Sequence, residues 1–146
     1  VTDIPSWQED HATLHLLMGR YSHYTGPLTL GIASIALRIT LKAHAQLNLK
    51  LNSVFENALY VLSGEISSEE HTVKQGELLR LHDGMQKVQL HNPTTQTCEC
   101  VLLGGLPAPQ PLVFEGPFVF ESQARINQAK QDFISGAMGQ LDGVPF

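Results

Sequence analysis

Residues 101–136 read VLLGGLPAPQPLVFEGPFVFESQARINQAKQDFISG, and this stretch governs how the chain ends. It begins as an apolar strand that breaks at Gly104-Gly105. It then runs extended through Pro107, Pro109 and Pro111 and turns at Gly116-Pro117. An amphipathic helix follows. The Ser122 hydroxyl can accept from an orphan N–H at the helix start, and Gly136 suits the left-handed position after the last turn. Ile126, Ala129 and Phe133 recur at i, i+3 and i+7 as one apolar stripe, while Arg125, Gln128 and Asp132 face the other way. A small β-domain rarely ends this way, because the helix needs a surface to cover; burial of Phe133 with the rest of the stripe is the expectation. The tail, AMGQLDGVPF, is weakly patterned and prone to fray.

Upstream, the period changes from helical to two. Ile35, Leu37, Ile39 and Leu41 alternate with Ala36, Arg38 and Thr40, so residues 28–41 read as strand-like. Leu47, Leu49 and Leu51 alternate with Asn48, Lys50 and Asn52 in the same way. Further strands are expected at 14–18 before Gly19, at 57–66 with a turn at Ser63-Gly64, and at 77–81 after Gln75-Gly76. Others fall at 88–90, closed by Asn92-Pro93, and at 98–103. No helix precedes residue 120, and no repeat is visible. Many short strands at even spacing argue for an all-β sandwich or barrel, which closes up to avoid open edges.

The totals bound the function. The chain has 146 residues, 42% apolar and 16% charged, enough for one domain with a real core. Net charge is -5 and the nine basic residues form no run, so nothing here neutralises a nucleic-acid backbone. The apolar runs are too short to span a bilayer, and no signal-peptide pattern is visible. Cys98 and Cys100 sit at i and i+2 in an apolar strand, too close for a comfortable disulfide. They read as buried, reduced, small apolar residues, in keeping with a cytoplasmic location. The first residue is Val1 rather than Met, which is expected of a processed piece or a fragment with a missing N-terminal partner.

LLGG-x-P, then P-L-V, then GPFV, then a helix of the form I-x-QA-x-x-DF-x-x-G resemble the C-terminal end of the pirin family. YVLSGEI at 60–66 followed by VKQGELLRL at 73–81 resembles the spacing of a cupin, and NALYVLSGE is similar to the matching strand of the pirin C-terminal domain. The resemblance covers most of residues 3–139. It implies an all-β fold: a cupin-type double-stranded β-barrel, jelly-roll-like, over residues 1–120, with a C-terminal α-helix and tail, 121–146, packed on the same domain. Pirin-like proteins have two stacked cupins. Their quercetin-dioxygenase-like and transcriptional co-regulator activities are tied to one iron, held by three His and one Glu in the N-terminal cupin.

Placing the family's glycine turn at Gly64 puts its H-x-H pair at Lys50 and Asn52, its later His near Gln89 and its Glu near His91. A protonated Lys repels a cation and Asn is a weak ligand, so one good ligand, His91, stands at four positions. The expectation is therefore no metal, catalytic group or cofactor in this chain, with iron only in a missing N-terminal cupin. Asn52, Glu56, Gln89 and His91 are the candidates for any site in the barrel. His11, His15, His23, His44, His71 and His82 are scattered, and no nucleophile elbow, P-loop or C-x-x-C occurs. The reading preferred is a metal-free C-terminal cupin that supports or docks a metal-binding N-terminal cupin of the same protein, or else self-associates. The alternatives are a free-standing cupin that binds a small molecule, and a cupin dioxygenase using a divalent metal.

Overall fold

A computed structural model describes residues 3–68, 71–108 and 111–139. Pro109, and the tail from residue 140 on, lie outside the described residues. The chain separates into two compact units, Val1–Pro107 and Ala108–Phe146.

The described strands are β1 (Ser6–Glu9), β2 (Ala12–Met18), β3 (Arg20–Tyr21), β4 (Tyr24–Thr25), β5 (Ser34–Leu41), β6 (Gln46–Lys50) and β7 (Glu56–Ser63). They continue with β8 (Glu65–Ser68), β9 (His71–Lys74), β10 (Leu78–Arg80), β11 (Lys87–His91), β12 (Cys98–Gly105), β13 (Val113–Glu115) and β14 (Phe118–Phe120). One helix, α1 (Gln123–Ile134), follows.

In the first unit most strands form two antiparallel sheets, and β3 and β4 pair separately as a two-stranded ribbon. A six-stranded sheet runs β1-β2-β5-β12-β7-β10, and a four-stranded sheet runs β6-β11-β8-β9. The chain crosses from one sheet to the other between β5 and β6 and again between β7 and β8. This is the jelly-roll arrangement, with the closure supplied by two facing sheets. Their inner faces make one aliphatic core. Leu14, Leu16, Leu37, Ile39, Leu41, Leu59 and Leu102 come from the larger sheet; Leu47, Leu49, Ile66, Val88 and Leu90 come from the smaller. All twelve are almost wholly shielded from water, which is the strongest single source of stability here.

Cys98 and Cys100 point into this core, unpaired and buried. Burial pushes the Cys98 thiol from 9.0 up to about 11 and raises Cys100 further, so both stay neutral as apolar filler. Asn92 shows why the Asn-Pro step ends β11. Its buried side-chain N–H groups donate to the carbonyls of Leu41, Lys42 and Gln96, and its Oδ1 accepts from the Thr94 amide at 3.0 Å and hydroxyl at 2.8 Å. A buried polar group so fully partnered locks the turn. Two glycines are dictated by close approach. At Gly19, φ is +82° and a Cβ would lie 1.9 Å from the Ser34 carbonyl oxygen; at Gly104, a Cβ would lie 2.4 Å from Oδ1 of Asn57.

Residues 28–33 depart from the strand expectation. Leu28, Leu30 and Ile32 alternate in the opposite phase to Ile35, Leu37, Ile39 and Leu41 of β5; their side chains are exposed and the strand starts only at Ser34. Gly26-Pro27 and Gly31 interrupt the pairing, and one bridge, Met18 to Leu28, tethers the segment.

In the second unit β13 and β14 form a hairpin around Gly116, whose φ is +57°. The helix α1 packs against this hairpin. Ser122 caps it, its Oγ accepting from the Arg125 N–H at 3.4 Å, and Gly136 follows the last turn with φ +76°. Ile126 and Ala129 are buried, but Phe133 is 65% exposed, which corrects the expected three-residue stripe. Phe133 lies in the last turn, where the edge of Phe118, 6.3 Å away between ring centres, is its aromatic contact. Among the described residues no helix is long and apolar enough to cross a membrane.

Candidate functional site

The alternation along β6 and β11 determines which side chains can meet inside the first unit. Leu47 and Leu49 point inward, as do Val88 and Leu90; Asn48, Lys50, Lys87 and Gln89 point outward. The register pairs Lys50 with Lys87, Gln89 with Asn48 and His91 with Gln46. Gln89 therefore lies on the solvent face, where its side-chain N–H donates to Asn48 Oδ1 at 3.4 Å. This corrects its placement as a barrel ligand: a one-residue step along a strand reverses the face. His91, two residues on, shares that outer face and is half-buried.

Asn52 belongs to the turn between β6 and β7, and Glu56 opens β7. Asn52 Oδ1 accepts from the Val54 N–H at 3.2 Å, and its carbonyl accepts from the Asn57 side chain. Glu56 is exposed and pairs with Arg80 at 3.4 Å, at a separate shallow opening of about 410 Å³. The four candidates thus do not converge: Gln89 and His91 share the outer face of β11, while Asn52 and Glu56 line different openings. Among the described residues no group of three or more His, Cys, Asp or Glu side chains lies close enough together to hold a metal ion. The donor set around Asn52 does not fit iron: Lys50 is a cation, Leu51 is apolar, and Asn52 is committed to its own turn.

What the structure does place there is a cleft of about 550 Å³ at the mouth of the sandwich. Lys50, Leu51 and Asn52 form one side, and Thr29–Ser34 of the irregular segment form another. Arg20 and Tyr21 close a third, while Phe55, Asn57 and Leu102 line the inner end. Tyr21 fastens this wall to β6, its phenol oxygen accepting from the Lys50 N–H at 3.1 Å. Burial raises the phenol's pKa above its ordinary value, against the lowering effect of that bond. Of the sequence candidates Asn52 alone lines this cleft. Arg20 and Tyr21 were not singled out. The available signal was punctuation: Gly19, then Gly26-Pro27 and Gly31, which prevent pairing and leave the segment to fold over the mouth.

His15 is half-buried on the outer face of β2, its Nδ1 without a partner among the described residues. Beyond it on the same row of the six-stranded sheet, Arg38 pairs with Glu99 at 2.7 Å. The row continues into apolar side chains: Val101 stands opposite Tyr60, and Tyr60 opposite Leu78. Tyr60, Leu62, Leu78 and Leu103 are exposed there.

Residues 36–139 match the model of the pirin C-terminal cupin domain. A Vibrio cholerae protein whose name gives quercetin 2,3-dioxygenase as a provisional activity is 34% identical over 113 residues, covering 77% of this chain and 39% of that protein. A pirin-like protein of Solanum lycopersicum is 28% identical over 140 residues, covering 94% of this chain and 48% of its own length. The chain thus spans under half the length of these curated relatives. Among solved structures, a quercetin 2,3-dioxygenase from Acinetobacter baumannii superposes with a TM-score of 0.83 at 22% identity, over 94% of this chain and 48% of that one; this is likeness of fold. The motif-bearing tail and the strands from β5 onward fall within one family match, and the chain belongs to the pirin family, as a C-terminal cupin domain.

Proposed function

We propose that this chain is the metal-free C-terminal cupin of a two-cupin, pirin-like protein, and that it docks and supports an N-terminal cupin in which the iron and the quercetinase-like or co-regulator activity reside. The observation that carries this reading is the aliphatic interior. Where a metal cupin needs imidazoles converging on one point, the neighbouring strands β6 and β11 present Leu47, Leu49, Val88 and Leu90 to the interior. The match to about half the length of longer relatives supports the same reading. So does the apolar row Val101–Tyr60–Leu78 on the outer sheet face, a surface of the kind that neighbouring domains cover.

The test is to mix the purified chain with a separately produced N-terminal cupin from the same gene and measure association by sedimentation. A stable pair that Tyr60→Asp or Leu103→Asp disrupts is the expected result. A gene that encodes no cupin upstream, with the chain a monodisperse monomer, overturns the reading.

A further inference from the structure

We infer that the cleft at the mouth of the sandwich is a binding site for a small organic anion: a carboxylate carried on a flat apolar body. This goes beyond the supporting role proposed above and holds with or without a second domain attached. Its volume, about 550 Å³, lies within the ordinary span of small-molecule sites, roughly 300–1,000 Å³. The charge is the informative feature. The chain carries a net -5, yet Arg20 and Lys50 line this cleft and no Asp or Glu does.

Neither cation has an ion-pair partner among the described residues. Lys50 meets the cleft wall through its backbone N–H, and its side chain stands on the outer face across the ladder from Lys87. Tyr21 adds a neutral donor. Its oxygen already accepts from the Lys50 amide, so its own O–H proton is available to the cleft. The apolar half of the ligand is set by Leu51, Phe55 and Leu102, side chains that offer contact area and no hydrogen bonds. A guanidinium and a phenol around one end, with aliphatic and aromatic walls at the other, is the pattern that orients an aryl carboxylate.

The experiment uses the whole chain and two probes of nearly equal shape, 2-naphthoate and its neutral counterpart 2-naphthamide. Each is titrated while backbone amides are followed by NMR. Naphthoate is expected to shift the amides of Arg20, Tyr21 and Lys50–Asn52 and to bind about tenfold or more tightly than naphthamide, the factor that one charge-assisted hydrogen bond supplies. Arg20→Met, at an exposed position, should weaken naphthoate by about tenfold, whereas Lys50→Met and Arg38→Met, on outer sheet faces, should not. Leu51→Trp, which fills the apolar end, should abolish binding of both probes. Equal affinity for acid and amide, shifts confined to other surfaces, or no binding of either probe overturns the inference.

Discussion

Along β6 the molecule changes character within a few residues. Leu47 and Leu49 are sealed between the sheets; Lys50, Leu51 and Asn52 line an open cleft with Arg20 and Tyr21. The interior is held by dispersion and the removal of apolar surface from water, so it tolerates no empty space. The mouth is held by a few directed bonds, such as Lys50 N–H to the Tyr21 oxygen, and its side chains keep their hydration. One region makes the fold and the other is where recognition chemistry can occur. The same strand serves both because the sandwich ends where the irregular segment 28–33 begins to cover it.

This contrast is sharpest in truncations. Leu49→Ala should cost about 2–5 kcal/mol, the usual range for a large-to-small change in a closed core, read by urea denaturation. Leu30→Ala, at the exposed cleft wall, should stay within about 0.5 kcal/mol. Similar costs for both would mean that the mouth is packed as tightly as the interior.

Alkaline titration probes the interior in a second way. The folded state raises the Cys98 thiol to about 11 from an ordinary 9.0. The stability tied to the neutral thiol is therefore complete below the unfolded value and is lost as pH rises through the folded one. Unfolding free energy should fall between about pH 9 and 11, and Cys98→Ala should flatten that fall. Fast labelling of both thiols in the native state at neutral pH would contradict the burial.

The smallest effect is expected at the helix end. Ile126→Ala removes a buried side chain and should lower the melting temperature by several degrees. Phe133→Ala, at an exposed position, should change stability by under about 0.5 kcal/mol. A large effect from Phe133 would show that it is covered in solution by something beyond its own hairpin.

The same contrast explains what the sequence could convey. Buried strands announce themselves because water imposes a strict alternation: Ile35 to Leu41 and Leu47 to Leu51 could be read directly, as could the caps Ser122 and Gly136. The site was harder. Ligand positions taken from a family resemblance fell on Lys50, Asn52 and Gln89, the polar phase of strands whose apolar phase had already been read as the core. The alternation of Val88 and Leu90 alone places Gln89 outside, where it is. Phe133 fails for a related reason. Helical periodicity gives the direction of a side chain around the axis, but not whether a surface extends far enough along the axis to cover it. The cleft wall at 28–33 reads as strand only by extension of the alternation from Ile35 to Leu41, and that alternation does not reveal where pairing begins.

The central claim is that the sandwich interior of this chain holds no metal. The direct measurement is iron bound per chain, by elemental analysis after anaerobic incubation with ferrous ion and removal of the excess. The account predicts far less than one iron per chain, with no change on His91→Ala. One iron per chain, lost when His91 or Glu56 is replaced, would contradict it.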